Sequence, residues 1–348
     1  MYKAIIRPIL FFLNPEKVHK LVVLLVKLLA YIPGAKPLIR YSLSYSTPEL
    51  VTTIAGLEFE NKVGMAAGFD KNADFFREFS MFGFSFIEIG TVTPVYQNGN
   101  QKPRLFRLTR DNALINRMGF NNKGVDYAVK KLRKRDKSII IGGNIGKNTN
   151  TPNEKASDDY AICFNSLYDS VDYLAVNVSC PNIAGLEKLQ DQDSLREILD
   201  KIMQERNKKA LRKPVFLKIS PDLSFKQIDE IIALYPEVGL DGIIATNTTT
   251  KRGNLITGKS RIARMGSGGL SGAPLKNRSL EVISYICKQS RNRIFVIGVG
   301  GIITPDDAVD MIRAGASLVQ VYTGFVYEGP FLVKRINQAI EKYLLHNK

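Results

Sequence analysis

The chain has 348 residues, enough for one or two domains with a large core, and 45% of them are apolar. Lys and Arg number 49 against 33 Asp and Glu, and the net charge of +16 points to an anionic partner such as nucleic acid, a lipid surface or a charged small molecule. No zinc-finger, helix-turn-helix or RNA-binding signature accompanies that charge, much of which lies on helix faces such as Lys130 to Arg135, so no nucleic-acid partner is expected.

Residues 1–40 differ in character from the rest. Lys3, Arg7, Lys17, Lys20, Lys27, Lys36 and Arg40 stand against one acid, Glu16. Between them runs an apolar stretch from Leu21 to Ala30, with Glu16, Lys20, Lys27 and Tyr31 on one helical face. A spanning helix needs about 20 apolar residues, and this run is about half that, contains Lys27 and ends at Pro33-Gly34. No small-x-small cleavage site follows it, which argues against a signal peptide. The segment is expected to lie in a membrane interface on the cytoplasmic side, with packing on the body of the protein as the alternative.

From residue 63 short apolar runs alternate with amphipathic stretches. The predicted strands are Val63–Ala67, Phe86–Ile89, Ile139–Ile141, Tyr173–Val178, Val215–Ile219, Gly242–Ala245, Ile294–Val299 and Leu318–Val321. Helical patterns include Ser194–Lys208, Lys226–Leu234, Leu280–Gln289 and Asp306–Arg313. Eight strand–helix units imply a (β/α)8 TIM barrel, and the strands read as continuous apolar runs because both their faces are buried. The chain divides into an N-terminal helical segment, 1–45, and the barrel, 46–348.

A barrel site lies at the C-terminal strand ends. There the sequence places Asp70 and Lys71, Thr91, Asn144, Asn177 with Cys180, Lys218, Asn247, Gly300 with Gly301, and Tyr322 with Thr323. Two lysines at buried strand ends are costly unless they meet an anion. Gly298-Val299-Gly300-Gly301 and Tyr322-Thr323-Gly324 have the form of a phosphate cradle. Two long loops, Val92–Asn121 and Asn247–Gly272, rise from the same face, and the second reads as a mobile lid. The hexapeptide Asn177-Val178-Ser179-Cys180-Pro181-Asn182 can hold a flat polar ligand by its edge and set a proton acceptor beside it. The cysteines, Cys163, Cys180 and Cys287, are odd in number and never at CxxC spacing, and the only histidines are His19 and His346. No metal site is therefore expected, and a reducing compartment fits.

Nine motifs in order resemble the dihydroorotate dehydrogenases, flavin enzymes of pyrimidine biosynthesis. They are Ala66-Ala67-Gly68-Phe69-Asp70-Lys71, Gly90-Thr91-Val92-Thr93-Pro94, Asn116-Arg117-Met118-Gly119-Phe120, Asn144 to Asn148, Asn177 to Asn182, Ala245 to Thr248, Gly269 to Gly272, Gly298 to Ile302 and Tyr322-Thr323. The N-terminal helix, with His19 in a Pro-Glu-x-x-His setting, resembles the membrane-associated, quinone-reducing class 2 enzymes.

The resemblance implies FMN contacts at Ala67, Gly68, Phe69, Asp70, Lys71, Thr91, Asn144, Asn177, Lys218, Thr246, Gly272, Gly301, Tyr322 and Thr323. It implies dihydroorotate contacts at Lys71, Asn116, Arg117, Met118, Gly119, Phe120, Asn177, Asn182, Asn247 and Thr248, and places His19 and Arg107 near the quinone entrance. The implied reaction is oxidation of dihydroorotate to orotate with a membrane quinone as acceptor, at the cell membrane; a class 1-like enzyme with a soluble acceptor such as fumarate is the alternative. The family's base position falls on Cys180, where class 2 enzymes usually carry serine and class 1 enzymes carry cysteine; Ser179 stands beside it.

Overall fold

A computed structural model describes residues 2–133, 135–179, 182 and 189–347. Eight parallel strands close a barrel: β1 Val63–Met65, β2 Phe86–Val92, β3 Ile140–Ile145, β4 Tyr173–Asn177, β5 Val215–Ile219, β6 Gly242–Ala245, β7 Val296–Val299 and β8 Leu318–Val321. Each pairs with the next in sequence, and β8 returns to β1 with Val319 opposite Val63. All eight predicted runs are barrel strands, with ends shifted by a few residues. β2 and β3 extend three and four residues further than their apolar runs, because Gly90, Thr91, Gly142 and Asn144 interrupt the apolar pattern without breaking the ladder.

Period-two alternation assigns the two faces of each strand. Outward residues such as Ile87, Ile89, Leu174, Val176, Leu217 and Val319 pack under the surrounding helices. Inward residues form layers. The lowest holds Phe86, Tyr173, Phe216, Ile244, Ile297 and Leu318, closed from below by Ile54 and Phe59 of an antiparallel ribbon, Thr52–Ile54 with Leu57–Phe59. Two residues further along the same strands come Glu88, Asn144, Lys218 and Gln320, all buried. The barrel interior thus changes from apolar to polar halfway up.

Glycine makes room for the aromatic layer. A Cβ on Gly64 would overlap the Phe86 ring, one on Gly142 the Tyr173 ring, and one on Gly242 the Phe216 ring. Each large ring is matched by a glycine on an adjacent strand, as interdigitated packing requires.

Both long loops carry structure. The first forms a hairpin, Leu105–Leu108 with Ala113–Asn116, and the second adds Gly269–Gly272 as a third antiparallel strand. The expected lid also contains a helix, Lys259–Met265. Asp111 of the hairpin pins it by accepting from the backbone N–H groups of Ile256 at 2.5 Å and Thr257 at 3.2 Å. The segment is therefore a wall tied to the hairpin.

Before the barrel come helices α1 Arg7–Phe12, α2 Pro15–Tyr31 and α3 Ala35–Leu43. Asn14 caps α2, its side chain accepting from the N–H groups of Glu16 and Lys17, with Pro15 at the first helical position. α2 starts at Pro15, before the apolar stretch that begins at Leu21, because that cap precedes it. No helix among the described residues is long and apolar enough to cross a membrane; α2 and α3 together form a bent pair at 113°.

Gly142→Ala should lower the free energy of unfolding by about 1–3 kcal/mol or more, through overpacking against Tyr173. Urea denaturation of the two proteins checks it, and an unchanged midpoint would contradict the interior layer described above.

Candidate active site

The C-terminal strand ends surround an open cavity. Among the predicted cofactor residues, Ala67, Gly68, Lys71, Thr91, Asn177, Lys218, Thr246, Gly272, Gly301, Tyr322 and Thr323 line it. Among the predicted substrate residues, Asn116, Met118, Gly119, Phe120, Asn182, Asn247 and Thr248 do so as well as Lys71 and Asn177. No carboxylate joins the two lysines among the described lining residues, so the cavity suits an anionic ligand.

Four predicted residues do not line the cavity. Asp70 is buried and accepts from the backbone N–H groups of Asp74 at 2.8 Å and Phe75 at 2.9 Å, so it shapes the turn that carries Lys71. Burial pushes its carboxyl up to about 6, against the pull of those hydrogen bonds. Phe69 packs in an aromatic cluster with Phe79, Tyr322 and Phe325. Arg117 turns away, and its Nη1 donates to the Met265 carbonyl at 3.1 Å. Asn144 is buried beside the floor and does not line the cavity. Cys180 lies outside the described residues.

The floor is built on a carboxylate that no motif announced. Glu88 on β2 has no exposed surface. Its Oε1 accepts from Asn144 Nδ2 at 2.8 Å and faces Lys218 Nζ at 3.3 Å; its Oε2 accepts from Gln320 Nε2 at 2.8 Å and the Tyr173 hydroxyl at 3.2 Å. From there hydrogen bonds climb to the rim. Asn177 Nδ2 donates to Thr91 Oγ1 at 3.0 Å and Asn144 Oδ1 at 3.2 Å, and Asn247 Nδ2 donates to Asn177 Oδ1 at 3.3 Å and Ser179 Oγ at 3.0 Å. The Ser179 hydroxyl donates to Asn177 Oδ1 at 3.3 Å, is buried and does not line the cavity. It is spent inside the network.

Other contributors were also absent from the motifs. Asn121 Oδ1 accepts from Lys71 Nζ at 2.6 Å. Gln320, Leu105 and Leu114 line the cavity. Glu88 and Gln320 carried a readable signal, since each is a polar residue inside an apolar strand run, where burial demands a partner.

At the opposite wall α2 lies against the cavity's outer shell. His19 packs edge-on to Phe69 at 5.0 Å and Phe75 at 5.5 Å, and Phe69 packs on Tyr322 at 5.3 Å. Arg107 donates to the carbonyls of Phe11 at 3.1 Å and Leu13 at 2.8 Å and lies over the Phe11 ring. Arg104 pairs with Glu16 at 3.1 Å. His19 and Arg107 therefore both join the N-terminal helices to the barrel.

The family model for dihydroorotate dehydrogenase matches residues 49–344. Among similar proteins, dihydroorotate dehydrogenase (quinone) of Christiangramia forsetii is 48% identical over 340 residues, covering 98% of both chains. That of Roseiflexus castenholzii is 45% identical over 345 residues, covering 99% of this chain and 93% of its own. The crystal structure of ligand-free DHODH from Eimeria tenella superposes with a TM-score of 0.87 at 39% identity, covering 96% of each chain. A parallel barrel with these lysines and asparagines at its strand ends, in a chain with these relatives, is that of an oxidoreductase. The chain belongs to the dihydroorotate dehydrogenase family.

Burial, and then the nearby Lys71 charge, push the His19 imidazole down to about 4, while a hydrogen bond to the Phe69 backbone and the Glu16 charge oppose the shift. The folded protein therefore holds His19 neutral, and the stability this packing contributes is lost as pH falls from about 6.5, the unfolded value, through about 4. With only two histidines in the chain, the His19 ring resonance is readily told from that of His346. An NMR titration should give it a midpoint near 4; a midpoint near 6.5 would undo this docking of α2.

Proposed function

We propose that the protein oxidises (S)-dihydroorotate to orotate with FMN as cofactor and a membrane quinone as final acceptor, in de novo pyrimidine synthesis. The observation that carries this reading is the cavity itself, where Lys71, Lys218 and the four asparagines Asn116, Asn177, Asn182 and Asn247 converge on one space.

The residues present fit a flavin mononucleotide. At Gly300 and Gly301 the backbone has φ of 104° and 93°, and a Cβ on either would collide with Leu275 or Lys276, so only glycine lets a phosphate approach this turn. Lys218 offers a cation at the floor. Gln320 Oε1 is buried, without a hydrogen-bond partner among the described residues, and ready to accept from a ring N–H. Ala67, Gly68, Thr91, Thr246, Gly272, Tyr322 and Thr323 would complete the cofactor's surroundings.

The substrate is a flat ring edged with amides and one carboxylate. Lys71 offsets the carboxylate, and its own orientation is set by Asn121. Asn182 Nδ2 donates to Asn116 Oδ1 at 2.9 Å, which leaves the Asn116 amide protons to face an acceptor. Asn182 Oδ1 is buried and unpartnered among the described residues, and it accepts a ring N–H. Bound FMN supplies the acceptor for the hydride that leaves C6. Cys180 takes the C5 proton as general base; a thiol titrates near 8.5 unperturbed, within reach of general-base work.

The N-terminal helices supply the membrane contact. Leu24, Leu25 and Leu28 of α2 are 53%, 53% and 55% exposed, and Phe12, Leu38 and Tyr41 are more so. Lys17 and Lys20 flank this apolar surface, as in an interfacial helix that also meets anionic headgroups.

Purified protein should carry a flavin spectrum that bleaches on adding dihydroorotate and returns with a quinone but not with fumarate. Recovery with fumarate alone would assign a soluble acceptor instead. Cys180→Ala should slow the bleaching by about 10²- to 10⁴-fold, and Ser179→Ala far less, in stopped-flow measurements. A large loss confined to Ser179→Ala would move the base. Leu24→Glu with Leu28→Glu should leave bleaching intact and weaken binding to anionic vesicles in flotation assays by about tenfold or more; unchanged flotation would remove α2 from the membrane contact.

A further inference from the structure

We propose that Glu88 is a positioning residue that holds Lys218 and Gln320 at the cavity floor and, through Lys218, sets how readily the bound flavin accepts electrons. The proposal rests on the flavin reading of the cavity.

Glu88 does not line the cavity, whereas Lys218 and Gln320 do. All four groups around its carboxylate are donors: Lys218 Nζ, Asn144 Nδ2, Gln320 Nε2 and the Tyr173 hydroxyl. Only an ionised carboxylate accepts from all of them at once. Its charge is shared, with the neutral amides at 2.8 Å and Lys218 at 3.3 Å. Lys218 is therefore partly, not fully, compensated, and keeps N–H groups for a ligand.

The same bonds fix the Gln320 amide. With Nε2 committed to Glu88, Oε1 is left on the other side of the group, where it has no partner among the described residues. One carboxylate thus presents a cation and an acceptor together at the floor. A flavin's pyrimidine ring needs both: its imide N–H seeks an acceptor, and its edge gains negative charge on reduction, which a nearby cation favours. If Glu88 served only to neutralise Lys218 for folding, its loss would lower stability and leave the flavin's reduction equilibrium unmoved.

Redox titration of the holoenzymes at pH 6 separates these accounts. In Glu88→Gln the negative charge is gone and Lys218 acts uncompensated, so reduced flavin should be favoured about tenfold or more in a low-dielectric site. For a two-electron couple that tenfold is about 30 mV higher in midpoint potential. Glu88→Asp keeps the charge and should return within about twofold of wild type, and in a Lys218→Met background Glu88→Gln should shift the equilibrium less than about twofold. Tyr173→Phe keeps the ring that packs the barrel and removes one competing donor; more carboxylate charge then falls on Lys218, so its potential should move the opposite way, downward. If Glu88→Gln does not retain flavin, the sign for Tyr173→Phe decides. Potentials unchanged in Glu88→Gln and Tyr173→Phe, or a full shift persisting without Lys218, would overturn the proposal. A wild-type protein that neither contains flavin nor binds it on reconstitution would instead overturn the flavin reading on which it rests.

Discussion

The upper half of the barrel depends on one buried carboxylate. Glu88 on β2 is met by donors from β3, β4, β5 and β8, so five of the eight strands contribute to a single hydrogen-bonded cluster. An ionised carboxylate without exposed surface carries a large desolvation cost, and it persists only when its lone pairs are filled. Filling them demands one register. A one-residue slip of any of these strands turns its donor outward and leaves the charge unmet. A well-packed hydrophobic layer could give equal or greater stability. What it could not do is hand the layer above a lysine, an asparagine and a glutamine already fixed in orientation.

The lower half makes that arrangement tolerable. Phe86, Tyr173 and Phe216 each occupy space left by a glycine on an adjacent strand, and Ile54 and Phe59 close the end of the barrel beneath them. These side chains lie between Glu88 and the lower end of the barrel. The Tyr173 ring belongs to this apolar layer while its hydroxyl reaches the polar one, so it joins the two. Above, the three-stranded sheet and the segment pinned by Asp111 wall one side of the cavity, and Leu105 and Leu114 line it from there. Apolar filling lies below the polar layer, and structured loops wall the cavity above it.

Much of this was legible in the sequence, and the reasons differ by element. The barrel strands stand out because parallel strands buried on both faces keep an unbroken apolar run, and none of the eight lacks one. The rim was legible because polar residues at strand ends have few structural uses there. Glu88 and Gln320 were hidden by the same logic. Each sits inside an apolar run, and a run read as a block conceals the inward alternation that gives it meaning. Asp70 stays off the cavity lining for another reason. It stands next to Lys71 in sequence, but its carboxyl is consumed by the turn that aims Lys71. The structure within the expected lid was hidden because its tie is distant: Asp111 lies 145 residues before Ile256, and local composition, rich in Gly, Ser and basic residues, carries no trace of the contact.

The N-terminal helices follow a different rule from the barrel. On α2, Val18 and Val26 are buried while Leu24, Leu25 and Leu28 face outward. A protein surface seldom leaves so many large apolar groups together, and this face is the one on which the proposed membrane contact rests. The inner face is held by means that do not compete with it. His19 docks as a neutral ring among Phe69 and Phe75, in a place where a charged imidazole would meet Lys71. Arg104 and Arg107 bind Glu16 and the α1–α2 backbone from the hairpin that also lines the cavity. Because these anchors all lie on the barrel side, the proposed lipid contact of the outer leucines leaves them undisturbed. The membrane reading and the cavity reading thus rest on opposite faces of one helix, and the packing of His19 against Phe69, and of Phe69 against Tyr322, is the physical link between them.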